Sequence, residues 1–216
     1  MAPIELRATY RLQVTRDLGF AAARQLVPYL RDLGISHLYL SPSLQARPES
    51  THGYDVIDPT RLSDTLGGRS EFERLSREAR DAGLGLVLDV VPNHMATDDA
   101  NPYWADSARR QRFFDIDPQT RRHRRFFDID DLAGVRQEDP AVFAETHELI
   151  LSLVRDGLLD GLRVDHPDGL ADPAGYLERL REAGVGRVWV EKILDPDERL
   201  PDWPVSGTVG YEFLND

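Results

Sequence analysis

The stretches Gly161-Leu162-Arg163-Val164-Asp165-His166 and Arg187-Val188-Trp189-Val190-Glu191-Lys192 decide how this chain is read. Each is a short apolar run ending in a carboxylate, the pattern of a buried strand that delivers an acid at its C-terminal tip. The residues between them, 172–184, are long enough for one helix. A β-α-β unit follows, with Asp165 and Glu191 at the same end of neighbouring parallel strands. Two carboxylates on one rim are what glycoside chemistry uses.

Spacing adds detail. Arg163 and Asp165 are two residues apart and point to the same side of the strand. Two charges facing inward on a buried strand must pair. Two readings of that pair are open on spacing alone: a structural ion pair, or an arginine that keeps Asp165 ionised and nucleophilic at neutral pH. Glu191 follows Trp189 by two residues, and enclosure there would raise its pKa, as suits a general acid. The structural alternative pairs it with Lys192, the single lysine of the chain.

Working outward, strand and helix patterns alternate. Strands are expected at 5–13, 35–40, 84–91, 159–165 and 187–191. Helices are expected at 20–33, 70–81 (capped by Ser70), 140–155 and 173–183. Near-continuous apolar strands alternating with helices predict an α/β fold with a parallel sheet. An open doubly wound sheet and a (β/α)8 TIM barrel both fit. Phosphate-cradling glycine patterns are missing directly after every strand, and polar residues collect after several different strands, which favours the barrel. Five strands can be counted, so the chain reads as the first five βα units of a partial barrel. A further C-terminal segment is expected to complete it, beyond the stretch Gly210 to Asp216. Three segments are expected: 1–95 and 140–216 as barrel, with 96–139 as an excursion after strand three. Within the excursion, Arg-Phe-Phe-Asp-Ile-Asp occurs at 112–117 and again at 125–130.

Composition narrows the function classes. The 216 residues are 41% hydrophobic, enough for one core, and carry a net charge of −12, which argues against nucleic acid as a partner. No apolar run reaches membrane-spanning length, and the N-terminus lacks a leader pattern. Cysteine is absent, which suits a reducing compartment, so a cytoplasmic location is expected. No closed ligand set for a metal is found, and no cofactor is expected.

The third strand closes in Asp89-Val90-Val91-Pro92-Asn93-His94. There His94 can donate to a sugar hydroxyl while Asp89 orients its neighbours, or Pro92 simply ends a strand. Tyr54, in His52-Gly53-Tyr54-Asp55, can stack on a sugar ring or pack on the core as a turn tyrosine. His37, mid-strand, reads as a hydrogen-bonded core residue, and Trp203 as a lid aromatic or plain packing.

Together these segments resemble the α-amylase superfamily, glycoside hydrolase family 13: Asp89 to His94 its first signature, Gly161 to His166 its second, Glu191 its third. More narrowly, Thr9 to Gln13, His52 to Val56, Asp165 to Leu170, Val190 to Leu194 and Gly207 to Tyr211 resemble the maltooligosyl trehalose synthase family within it. The resemblance implies a retaining double displacement on a maltooligosaccharide or other α-glucan, with Asp165 as nucleophile and Glu191 as acid and base. It further implies that His52, Tyr54, Asp55, Asp89, His94, Arg163, His166 and Lys192 surround the substrate. The expected outcome is conversion of the reducing-end α-1,4 bond to an α,α-1,1 bond. Hydrolysis, chain transfer and glucan binding without turnover are the alternatives. Two departures stand out. The family's third acid follows a later strand, and family members keep the two Arg-Phe-Phe segments well apart, where this chain has only Pro118 to Arg124.

Overall fold

The computed structural model describes residues 4–210. Met1 to Pro3 and Tyr211 to Asp216 lie outside the described residues, so the leader reading at the N-terminus and the last residue of the Gly207 to Tyr211 motif are not placed.

The N-terminal half runs β1 (Thr9–Leu12), α1 (Phe20–Gln25), α2 (Val27–Asp32), β2 (His37–Leu40), β3 (Leu44–Ala46), β4 (Val56–Leu62), α3 (Gly68–Asp81) and β5 (Gly85–Val90). Between β5 and the next long helix lie β6 (His94–Ala96), α4 (Pro102–Ala105), α5 (Ser107–Phe113), β7 (Arg125–Phe126) and β8 (Ile129–Gly134). The rest is α6 (Pro140–Arg155), β9 (Gly161–Val164), α7 (Pro173–Glu182), β10 (Val188–Val190) and β11 (Gly207–Thr208).

Six strands form one parallel sheet in the order β1-β2-β5-β9-β10-β11. The order never reverses, which rules out a doubly wound sheet and gives half of a barrel wall. The sheet has one strand more than the five read from sequence. Gly207–Thr208 is only two residues long and has no apolar run to announce it.

Register explains how buried strands carry charged residues. Leu38, Leu40, Leu86, Leu88, Leu162, Val164 and Val190 are all essentially buried. They form the convex side, against the helices. Their alternates build a ladder across the concave side: Arg11 pairs with Tyr39, Tyr39 with Val87, Asp89 with Arg163 and Arg163 with Trp189. The same-side placement of Arg163 and Asp165 therefore holds.

Several element boundaries differ from expectation for local reasons. The 20–33 helix is two helices, because Pro28 in the first turn of α2 has no N–H for the preceding turn. The 70–81 helix starts at Gly68. Its cap is Gly67 at φ 111°, a conformation only glycine holds easily, and Ser70 plays no capping role. Asp139 and Asp172 cap α6 and α7, their side chains accepting from the Ala141 and Gly175 N–H groups with a proline at the first helical position. The β3–β4 hairpin is not legible in the alternation of the sequence, because its register shifts twice within three pairs.

The excursion is ordered. β6, β8 and β7 form an antiparallel sheet that begins at His94. The two hexapeptide copies do different work there. Phe113 and Phe114 are buried, while Phe127 is exposed.

At Gly161 an added Cβ would lie 2.8 Å from Trp189 and 3.0 Å from the Arg187 carbonyl oxygen, whereas Gly186 has open space. Gly161→Ala is expected to destabilise by about 1–3 kcal/mol, because backbone must shift. Gly186→Ala is expected to stay within about 0.5 kcal/mol. Thermal unfolding of both variants checks this, and equal midpoints would contradict the packing described.

Candidate active site

The acids sit one residue past their strands. The Asp165 N–H donates to the Val90 carbonyl (2.9 Å) and the Glu191 N–H to that of Val164 (2.8 Å), so both extend the parallel ladder by one step. Backbone geometry alone brings the two carboxylates to one rim.

Arg163 holds them there. Its Nη1 donates to Asp165 (2.7 Å) and to Asp89 Oδ1 (2.8 Å), and its Nη2 lies 3.2 Å from Glu191. The other Asp89 oxygen accepts from the Tyr54 hydroxyl (2.7 Å), from Arg11 (3.1 Å) and from the Tyr39 hydroxyl (3.2 Å). Arg11 also reaches the Tyr54 oxygen at 2.9 Å. Two guanidinium groups thus face three carboxylates, so the cluster is one positive charge short.

The imbalance appears at Asp165. Burial pushes its pKa up to about 7, the charges of Asp89 and Glu191 push the same way, and Arg163 opposes them without prevailing. Of the two readings that spacing left open, the ion pair is present, and Asp165 lies above the ordinary carboxylate range despite it. The pair exists, but one arginine divided among three acids does not offset desolvation. Burial also holds the phenols of Tyr54 and Tyr39 protonated, with Asp89 as the second cause.

Glu191 departs from expectation in two ways. Its side chain keeps 35% exposure, so it is not enclosed as Trp189 suggested. Its partner is Arg163, and Lys192 turns instead to Asp168 (3.1 Å) and Glu198 (2.6 Å). The hydrogen bond with Glu198 raises the Lys192 pKa, with Asp168 adding to it. The His166 backbone N–H donates to the second Glu191 oxygen at 3.2 Å.

These groups open into a cavity of about 710 Å³. Asp165, Glu191, His166, His94 and Tyr54 line it, as do Asp55, His52 and Lys192. Asp89 and Arg163 do not. They lie beneath it, where the concave ladder places them. Tyr54 thus faces the cavity while hydrogen-bonded to Asp89, a role that neither sequence reading anticipated. Ser50 bonds the Asp55 carboxylate. His94 Nε2 faces the Tyr54 carbonyl at 3.2 Å and Nδ1 faces Asn93 Oδ1 at 2.7 Å. Burial pushes its pKa down to about 4, so at neutral pH the ring carries one proton and can donate to only one of them. His37 is buried against Ser36 (3.1 Å), as read from sequence, and Trp203 packs on the core.

Sequence reasoning missed Arg11 and Tyr39, whose roles follow only from strand register, and the wall of Phe126, Phe127, Ile129 and Leu132 supplied by the excursion. Among the described residues no group of three acidic or histidine side chains is arranged to hold a metal ion. No helix among them is long and apolar enough to cross a membrane.

The α-amylase catalytic-domain profile matches residues 23–141, more than half of the chain. The chain belongs to the α-amylase family. A Mycobacterium tuberculosis protein that carries the maltooligosyl trehalose synthase name is 39% identical over 97% of this chain and 38% of its own length. The structure of maltooligosyltrehalose synthase from Arthrobacter ramosus superposes with a TM-score of 0.90 at 36% identity, covering 96% of this chain and 37% of that one. An α-amylase from Geobacillus thermoleovorans has a TM-score of 0.79 at 17% identity, over all of this chain and 54% of that one, a likeness of fold alone. The chain therefore spans about 38% of the length of the curated relatives it matches. The alignment with the M. tuberculosis protein runs over 287 positions, so at least 71 of them (287 minus 216) have no residue of this chain opposite.

Two outcomes follow from the carboxylate cluster. Because Asp165 titrates at about 7 against an ordinary 3.8, the native state binds more protons than the unfolded one in between. Stability attributable to this group is full below pH 4 and is lost as pH rises through 7. Asp165→Asn removes that loss, so its melting temperature relative to the parent is expected to climb between pH 5 and pH 8, by the equivalent of about 1 kcal/mol or more. A pH-independent difference would contradict the assignment. Arg163→Met leaves Asp165 and Glu191 without their cation and is expected to cost about 3–5 kcal/mol in denaturant unfolding at neutral pH.

Proposed function

We propose that this chain carries the nucleophile and the acid/base of a (1→4)-α-D-glucan 1-α-D-glucosylmutase, which converts the reducing-end α-1,4 bond of a maltooligosaccharide to an α,α-1,1 bond in trehalose formation. The observation that supports it best is the Asp165–Arg163–Glu191 cluster at the floor of the cavity, in a fold whose relatives bear that enzyme's name. Asp165 attacks the anomeric carbon while Glu191 protonates the departing oxygen. A β-glycosyl ester forms as the α-1,4 bond breaks. The freed glucose turns, Glu191 takes the proton of its anomeric hydroxyl, and that oxygen displaces Asp165. His94, His52, Asp55, His166 and Lys192 contact hydroxyls, and Tyr54 faces the sugar ring. Asp89 acts from below by holding Tyr54 and Arg163.

The third acid implied by the family resemblance follows a later barrel strand, and turnover depends on its supply. The shortened 96–139 excursion, barrel segments on either side of it and a cytoplasmic location belong to the same proposal. At least 71 unmatched positions in the M. tuberculosis relative fit a deletion between the two Arg-Phe-Phe segments. The partial coverage favours one second reading, glucan binding without turnover.

Incubation of the 216-residue chain with maltopentaose separates the readings. The mutase lowers reducing power without shortening the sugar, and Asp165→Asn abolishes the change. A rise in reducing ends would contradict the mutase. Binding with no chemistry would support the second reading.

A further inference from the structure

Asn93 lies between two parts of the site and is itself buried, with 1% exposure. Its side-chain Nδ2 donates to the His166 carbonyl at 3.1 Å and approaches the Asp165 carbonyl at 3.5 Å. Its Oδ1 lies 2.7 Å from Nδ1 of His94. Both carbonyls can only accept, so the amide NH2 must point at them. That leaves Oδ1, which also can only accept, for His94. The turned-over amide would set Oδ1 against two carbonyl oxygens with no proton between them. The single proton of the neutral His94 ring is thereby fixed on Nδ1.

The other ring nitrogen then carries a lone pair. Nε2 faces the Tyr54 carbonyl oxygen at 3.2 Å, acceptor against acceptor. A second proton does not resolve the conflict, because burial pushes the ring's pKa down to about 4. His94 lines the cavity, and Phe126 covers one face of its ring at 4.0 Å, which leaves the ring edge for a ligand. A hydroxyl entering the cavity supplies the missing donor to Nε2.

The same amide supports the neighbouring turn. His166 holds a left-handed φ of 40°, a conformation that needs support from its surroundings. Its carbonyl accepts from the Gly169 N–H (3.1 Å) as well as from Asn93, and its own N–H donates to Glu191. One amide therefore orients both His94 and the turn that meets Glu191.

We propose that Asn93 is a positioning residue that fixes His94 as the Nδ1–H tautomer, so that Nε2 meets a ligand hydroxyl as an acceptor. This reverses the donor role that the sequence suggested for His94. The tautomer stands on contacts within the chain, and a sugar as the source of the hydroxyl rests on the glucan reading above.

Nitrogen-15 NMR of the 216-residue chain with labelled histidine reads the tautomer at pH 7, with His94→Gln identifying the signals. The parent is expected to show Nδ1 protonated and Nε2 bare. Asn93→Asp keeps an acceptor opposite Nδ1 and is expected to keep Nδ1 protonated. Asn93→Leu removes that acceptor, and the proton is expected to move to Nε2, where the Tyr54 carbonyl accepts it. Calorimetric titration with maltopentaose is then expected to show Asn93→Leu binding about three- to tenfold more weakly than the parent. A parent with Nε2 protonated would overturn the proposal whether or not the variants fold, as would an Asn93→Leu ring that keeps the parental tautomer. An inverted tautomer with parental affinity would overturn the hydroxyl role and spare the glucan reading. Absence of binding by the parent would overturn the glucan reading and with it the sugar's place at Nε2.

Discussion

One guanidinium is divided among three carboxylates, and the rest of the site depends on that arrangement. Arg163 reaches Asp89, Asp165 and Glu191 at once. Asp89 is buried and takes on a second cation, Arg11, together with two phenols. With its oxygens fully occupied, Asp89 serves as an anchor that fixes Arg163 and Tyr54. Arg163 in turn sets where the two cavity-facing acids point. Removing one member leaves buried charge uncompensated, so the cluster behaves as a unit.

The scaffold makes this possible through strand register. Parallel pairing in an unreversed order lines up Arg11, Tyr39, Asp89, Arg163 and Trp189 on the concave face. The opposite face is filled by leucine and valine. Gly161 lets Trp189 lie across the start of β9. The excursion then closes the cavity from above with Phe126 and Phe127, so the floor is polar and one wall is apolar. Such a division suits an amphipathic ring held over acids.

Much of this was legible in the sequence, for identifiable reasons. Asp165 and Glu191 end apolar runs, and period-two spacing put Arg163 beside Asp165. The helices read at 140–155 and 173–183 lie where expected to within a residue. The illegible parts depend on contacts distant in sequence. Arg11 and Tyr39 are ordinary strand residues until register sets them against Asp89, 78 and 50 residues away. The β3–β4 hairpin that carries the Tyr54 loop is irregular, so no alternation marks it. The pKa of Asp165 is set first by burial and then by how many acids share one arginine, neither of which pairwise spacing reveals. The two Arg-Phe-Phe-Asp-Ile-Asp copies show the limit most clearly, because identical residues are core in one place and cavity wall in the other.

In the proposed retaining α-glucan site, Asp165 is the nucleophile. Mechanism-based labelling addresses it directly. A 5-fluoro-α-glucosyl fluoride leaves a slowly hydrolysed glycosyl ester on the attacking carboxylate, which intact mass and peptide mapping locate. One adduct is expected, on the peptide containing Asp165, and suppressed in Asp165→Asn. An adduct on Glu191 or another acid, or none under conditions where maltopentaose is turned over, would contradict it.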